Sequence, residues 1–233
     1  MSPPLLVELF NRLPERHLQE PPREGKARWQ TALEKFKKRV EDRYNEGTLV
    51  RLLEIGDGRC RQAALTALSL LGTMNSNAAV AARLHDDDPD TRHLAVDTLW
   101  AIWFRADSEE NNQELQRLQR MRDREKALAG FEQLLQRAPN FAEAYNQRAV
   151  LEFRMKQYER SIADCEKALQ LNPYHFGAQA GIAQCFLQMR KHKAALKAFR
   201  AALKLNPYLE GVAETIRALE NALEEEGRKD DKK

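Results

Sequence analysis

Apolar residues recur every three or four positions along much of this chain, the spacing that puts them on one side of a helix. Trp29, Leu33, Phe36, Val40 and Tyr44 fall on one face of a helix expected over 24–45, with Gly47 placed as its C-cap. Leu209, Val212, Ile216, Leu219 and Leu223 form a second stripe on an otherwise polar helix. A shorter helix is expected from Pro3 to Leu13, stopped by Pro14, with Pro21-Pro22 as a linker. Composition agrees with helices throughout. The chain is rich in Ala, Leu, Glu, Gln, Arg and Lys, the strong helix formers, and carries only 10 Gly and 9 Pro in 233 residues.

The second half repeats. Pro139, Pro173 and Pro207 lie 34 residues apart. Ala127, Ser161 and Ala195 keep the same interval with small side chains, and Leu128, Ile162 and Leu196 with aliphatic ones. Phe131, Cys165 and Phe199 are apolar in phase, and so are the pairs Leu134-Leu135, Ala168-Leu169 and Ala202-Leu203. This resembles the tetratricopeptide family, whose unit is a helix–turn–helix with a fixed series of small, aromatic and proline positions. The match is best over 141–173 and 176–207, through Tyr145, Ala149, Ser161, Cys165 and Pro173, then Ile182, Ala183, Phe186, Ala195, Phe199 and Pro207. Arg148 and Glu152 occupy slots where the family prefers apolar residues, and Gln179 replaces an aromatic. The unit from Ser108 to Pro139 is degenerate, with Asn111 and Leu115 at the aromatic and small positions. Small residues allow the two helices of a unit to touch, so Ala149 and Ala183 should face Ser161 and Ala195. Each pair leaves an apolar face for the next to cover, and the stripe after Pro207 reads as the terminal cap.

A different repeat occupies the middle. Residues 57–65 align with 88–96 at an offset of 31, with Asp57 matching Asp88, Arg61 matching Arg92 and Ala64 matching Ala95. An Asp, an Arg four later and an Ala three beyond resemble HEAT repeats. The resemblance implies that each Asp caps a helix and each Arg pairs with an Asp near the turn. Trp100, Trp103 and Phe104 end the last such helix and are expected to pack on the degenerate unit.

The expected class is therefore all-α, an α–α superhelix (solenoid). Its parts are a helical N-terminal cap (1–47), HEAT-like repeats (48–105), tetratricopeptide repeats (108–207), a capping helix (208–226) and a charged tail (227–233).

Charge narrows the function classes. The net charge is +3, from 16 basic against 15 acidic residues in 1–105 and 22 against 20 in 106–233, so neither half is a basic module and no nucleic acid is expected. The N-terminus lacks the pattern of a secretory signal, and no apolar run is long enough to span a membrane. Three cysteines, Cys60, Cys165 and Cys185, without paired spacing point to a reducing, cytoplasmic setting. Cys165 and Cys185 fall at apolar repeat positions and read as inert thiols, whereas Cys60, near a helix start, has a reason for a lowered pKa.

No catalytic, metal or cofactor constellation emerges. His85 and His93 bracket Asp86-Asp87-Asp88, but without ligand spacing the stretch reads as a solvated acidic turn before a helix. The run Lys35, Lys37, Lys38 and Arg39 reads as a solvated helix face.

By the family resemblance, the first helices of the repeats line a groove that receives a peptide or a helix. Its positions here are Asn112, Gln116, Glu143, Asn146, Val150, Phe153, Arg154, Ala180, Gln184, Leu187 and Gln188. Amides suit recognition of an extended chain, Phe153 with Val150 and Leu187 an apolar pocket, and Arg154 a carboxylate anchor. The alternative is that these are ordinary solvated positions. Asn112, Gln116, Gln147, Gly177 and Gly181 stand where the chaperone-binding members carry Lys and Arg, so that carboxylate clamp is not expected. The chain thus reads as a non-enzymatic adaptor for a protein or peptide. Two other readings stay open: a homo-oligomer through the solenoid ends, with the Trp29–Phe36 stripe as its surface, and an enzyme resembling the HEAT-type bilin lyases, for which Cys60, His93 and Asp97 are the available residues.

Overall fold

The computed structural model describes residues 4–14 and 22–230, all helix and connecting turn, with no strand among them. The chain divides into two compact units, 1–102 and 103–233.

The first unit is built on α1 (Leu5–Asn11), α2 (Pro22–Glu41), α3 (Glu46–Ile55), α4 (Gly58–Leu71), α5 (Asn77–Ala82) and α6 (Pro89–Trp103), the last of which ends one residue into the second unit. Helix α4 is central and packs against α1, α2 and α3. Residues 63–68 are buried in succession, which a helix surrounded on several sides requires. Two expectations change here. Pro22 opens α2, where its missing N–H goes unneeded, and Pro21 lies outside the described residues. Gly47 sits inside the first turn of α3 and is not a C-cap. Asn45 caps that helix by accepting from the Thr48 N–H at 2.8 Å, a stronger start signal than the glycine is a stop.

Asp57 accepts from the Cys60 N–H at 2.8 Å and Asp88 from the Thr91 N–H at 3.0 Å, so both repeated aspartates cap helices. Arg61 pairs with Asp86 of the following pair at 3.0 Å, while Arg92 donates to the Asp86 and Asp87 carbonyls. The Asp86 side chain is only 5% exposed, so this turn is an ion-paired joint and not a solvated acidic loop. Phe36 is 3% exposed and Val40 fully buried, so most of the stripe offered for self-association is used inside the fold, with Trp29 half-buried.

The second unit continues with α7 (Glu109–Gln119), α8 (Arg124–Arg137), α9 (Ala142–Arg154), α10 (Tyr158–Leu171), α11 (Phe176–Gln188), α12 (His192–Leu205) and α13 (Val212–Asp230). Consecutive helices pack as pairs, α9 on α10 and α11 on α12, with α10 also against α11 and α12 against α13. The small-residue contacts form as expected: Ser161 Oγ donates to the Ala149 carbonyl at 2.8 Å, and Ala183 and Ala195 share one core. Val212, Ile216 and Leu219 of α13 close that core. The turns after α9 and α11 repeat too. Lys156 (φ 61°) and Arg190 (φ 58°) adopt the left-handed conformation, while Gln157 N–H reaches Glu152 O and Lys191 N–H reaches Phe186 O, each at 2.9 Å. Gly130 lets α8 approach α7, since a Cβ there would collide with Leu118 Cδ2. Helix α13 runs to Asp230, past the 226 boundary, so 227–230 is helical and not a frayed tail. The run Glu224-Glu225-Glu226 and the Arg-Lys pair beyond are good helix formers, and a single Gly227 costs only about 1 kcal/mol.

Candidate functional site

Helices α9 and α11, the first helices of the two best repeats, lie side by side. Their sequences place a polar row beside the apolar row that packs on α10 and α12. The structure divides the expected groove residues into two groups.

One group is engaged within the chain. Asn112 is 5% exposed, its Nδ2 donating to the Asp107 carbonyl at 2.9 Å and its Oδ1 accepting from the Asp107 N–H at 3.2 Å. Glu143 is fully buried and Asn146 is 4% exposed, with Asn146 Nδ2 donating to Glu143 Oε1 at 3.3 Å. These three are corrections to the reading of groove amides open to a ligand, because their polar atoms already have partners away from water. The other group is accessible. Gln116, Arg154, Gln184 and Gln188 are exposed, and Val150, Phe153, Ala180 and Leu187 are half-buried. Phe153 leans on Tyr158, ring centroids 5.6 Å apart and planes at 60°.

Glu143 of this buried group meets a residue that sequence reasoning did not assign. His175 is fully buried, and its Nδ1 accepts from the Ala178 N–H at 3.1 Å, so it caps α11 with an imidazole. With Nδ1 accepting, the ring proton is on Nε2, which donates to Glu143 Oε2 at 2.8 Å. Glu143 Oε1 accepts from Gln147 Nε2 at 2.6 Å, and Gln147 Oε1 in turn from Gln119 Nε2 at 3.0 Å. Trp103, 1% exposed, stacks on the imidazole at 4.3 Å with planes 21° apart and tilts against Phe176 at 5.2 Å. Trp103 was expected on the degenerate repeat. It goes instead to α11, while Phe104 does pack on the Leu115–Phe131 core of that repeat.

Two repeat departures prove to be linked. Arg148 makes a bidentate pair with Asp164, at 2.5 and 2.7 Å. Glu152, one turn further on, is 5% exposed and has one carboxylate oxygen without a hydrogen-bond partner. Burial above all, then repulsion from Asp164, pushes its pKa up to about 7 against the attraction of Arg148.

The thiols are closed to chemistry. All three are free and buried. Burial raises Cys165 and Cys185, and burial followed by Asp57 raises Cys60 despite Arg61, so the lowered Cys60 pKa expected from its helix start is overturned. No group of three or more His, Cys, Asp or Glu residues among the described ones is arranged to hold a metal ion.

The geometry of α9 to α12 agrees with a comparison at the level of families: residues 142–175 and 177–208 each match the tetratricopeptide repeat. Similar solved structures include the Sgt2 tetratricopeptide domain from Aspergillus fumigatus, 18% identical over 52% of this chain and 83% of that one, with a TM-score of 0.48. Another is the TPR2B domain of yeast Sti1 in complex with an Hsp70 peptide, 25% identical over 48% of this chain and 90% of that one, TM-score 0.42. A third is the first tetratricopeptide domain of Spaghetti bound to an HSP90 peptide, 21% identical over 49% and 88%, TM-score 0.43. No curated protein matches in sequence. No helix among the described residues is long and apolar enough to cross a membrane.

Proposed function

We propose that this chain is a non-enzymatic adaptor that receives a segment of a partner protein along the first helices of its tetratricopeptide repeats. The observation that carries the reading is the accessible row on α9 and α11. Two matched repeats present Val150, Phe153 and Leu187 half-buried, with Arg154, Gln184 and Gln188 exposed beside them. An apolar strip edged by amides and one guanidinium suits an extended backbone with apolar side chains. Gln116 on α7 extends the same row into the degenerate repeat, whereas Asn112, Glu143 and Asn146 serve to hold the scaffold. Residues 48–105 we read as HEAT-like helix pairs, on the repeated Asp caps and the Arg61–Asp86 joint, and the protein as working in the cytoplasm.

The test is affinity capture from native cytosol with wild type beside a Phe153→Ala/Arg154→Ala variant of unchanged helicity. One protein held by wild type and released by the variant, then bound directly as a purified pair, is the expected result. Equal capture by both would move the partner surface elsewhere.

A further inference from the structure

A cavity of about 220 Å³ opens between α7, α8 and α9 in the second unit. Leu118, Phe131, Val150 and Leu151 line it with apolar surface, and Arg122, Arg124 and Arg154 also line it. No acidic side chain lines it. All three arginines are exposed, and none makes an ion pair among the described residues. The nearest acid in sequence, Asp123, is occupied with the N–H and ammonium of Lys126. Arg124 is held in place, donating to the Arg154 carbonyl at 3.3 Å as it caps the C-terminal end of α9.

From this juxtaposition we infer that the turn between α7 and α8 is a docking subsite for an acidic segment of a partner protein, which inserts one apolar side chain into the cavity and lays flanking carboxylates on Arg122, Arg124 and Arg154. The inference rests on the adaptor reading and adds the chemistry of the partner to it. Size argues for a side chain. The cavity is smaller than the roughly 300–1,000 Å³ of small-molecule and cofactor sites, yet roomy for a leucine or methionine. Charge argues for carboxylates. Guanidinia bind them with two parallel hydrogen bonds, and three without an ion-pair partner leave a local positive excess that the near-neutral chain as a whole does not have. Single-stranded nucleic acid fits less well, because it needs exposed aromatic faces for stacking and the ring lining this cavity, Phe131, is 1% exposed. A more open hollow of about 460 Å³, lined by Gln113, Gln116 and Arg120, shares Met121 with the cavity and gives the segment a direction along α7.

The experiment titrates the full chain with fluorescein-labelled peptides and reads anisotropy. One peptide carries a leucine between two pairs of aspartates, one replaces that leucine by glycine, and one replaces the aspartates by lysines. The leucine–aspartate peptide should bind and both controls should bind at least about tenfold more weakly. An Arg122→Gln/Arg124→Gln variant should also lose about tenfold, the amount expected of solvent-screened charge-assisted bonds. A Lys193→Gln/Lys197→Gln variant, which removes the same charge from exposed positions on α12, should bind as wild type does. If the Arg122→Gln/Arg124→Gln variant keeps the peptide, the acidic subsite falls. No binding of the leucine–aspartate peptide at millimolar concentration overturns the subsite alone, since capture from cytosol with a Gln184→Ala/Gln188→Ala variant, which leaves all three arginines in place, judges the groove separately. Displacement by a single-stranded oligonucleotide through the same arginines, with the leucine dispensable, would replace the protein partner by a nucleic acid.

Discussion

Replacing Glu152 by glutamine should change stability in a way that depends on pH. The carboxyl sits in α9 facing charged and polar groups from every helix around it: Arg148 on its own helix, Arg160, Asp164 and Cys165 from α10, Glu132 from α8 and Cys185 from α11. Its pKa is raised from 4.5 to about 7, so the folded state binds the proton more tightly than the unfolded chain. The sign follows. Below 4.5 both states hold the proton and the group is neutral in both. As pH rises from 4.5 to 7 the unfolded chain releases its proton first, and stability falls. Above 7 the loss is complete, at about 3 kcal/mol. Glutamine keeps the shape and removes the titration, so whatever it does to packing is an offset independent of pH. Urea unfolding followed by circular dichroism at pH 5 and pH 8 should therefore show Glu152→Gln gaining about 2 kcal/mol on wild type between the two. A difference that stays constant with pH, or that moves the other way, would mean that Arg148 already compensates the charge.

Other outcomes follow from the same packing. Arg148→Ala leaves Asp164 unpaired beside Glu152 and should cost about 2–3 kcal/mol in urea unfolding, below the range for fully buried pairs because Arg148 is 19% exposed; it should also raise the Glu152 midpoint read by carboxyl-carbon NMR. Trp103→Ala removes the stack on His175 and should cost about 3–5 kcal/mol, with unchanged stability showing that the ring does not hold α11. Asp57→Ala removes the cap of α4 and should cost about 1 kcal/mol in thermal unfolding, while Asp57→Asn should recover most of it. None of the three thiols should react with a disulfide reagent in the native protein at pH 8, and all three should react in denaturant; rapid native labelling of Cys60 would contradict its burial.

The sequence by itself determined the all-α class and the repeat phase of the second unit. Helical spacing, the 34-residue interval and the small residues at 149, 161, 183 and 195 are local signals, and local sterics act on them directly. Capping was legible for the same reason at Asp57 and Asp88, and misread at Gly47 because a nearby Asn45 competed for the same turn. The site was legible only in part. The family resemblance put Asn112, Glu143 and Asn146 among the expected groove positions, but whether a polar side chain there meets water or a partner depends on residues far away in the chain. Trp103, 72 positions before His175, closes over that imidazole, and His175, 32 positions after Glu143, takes its carboxylate. The same holds for Glu152 and for the arginines at the α7–α8 turn. Desolvation and the convergence of like charges are properties of assembled helices, so a pKa near 7 and an uncompensated basic pocket exist only once the fold has formed.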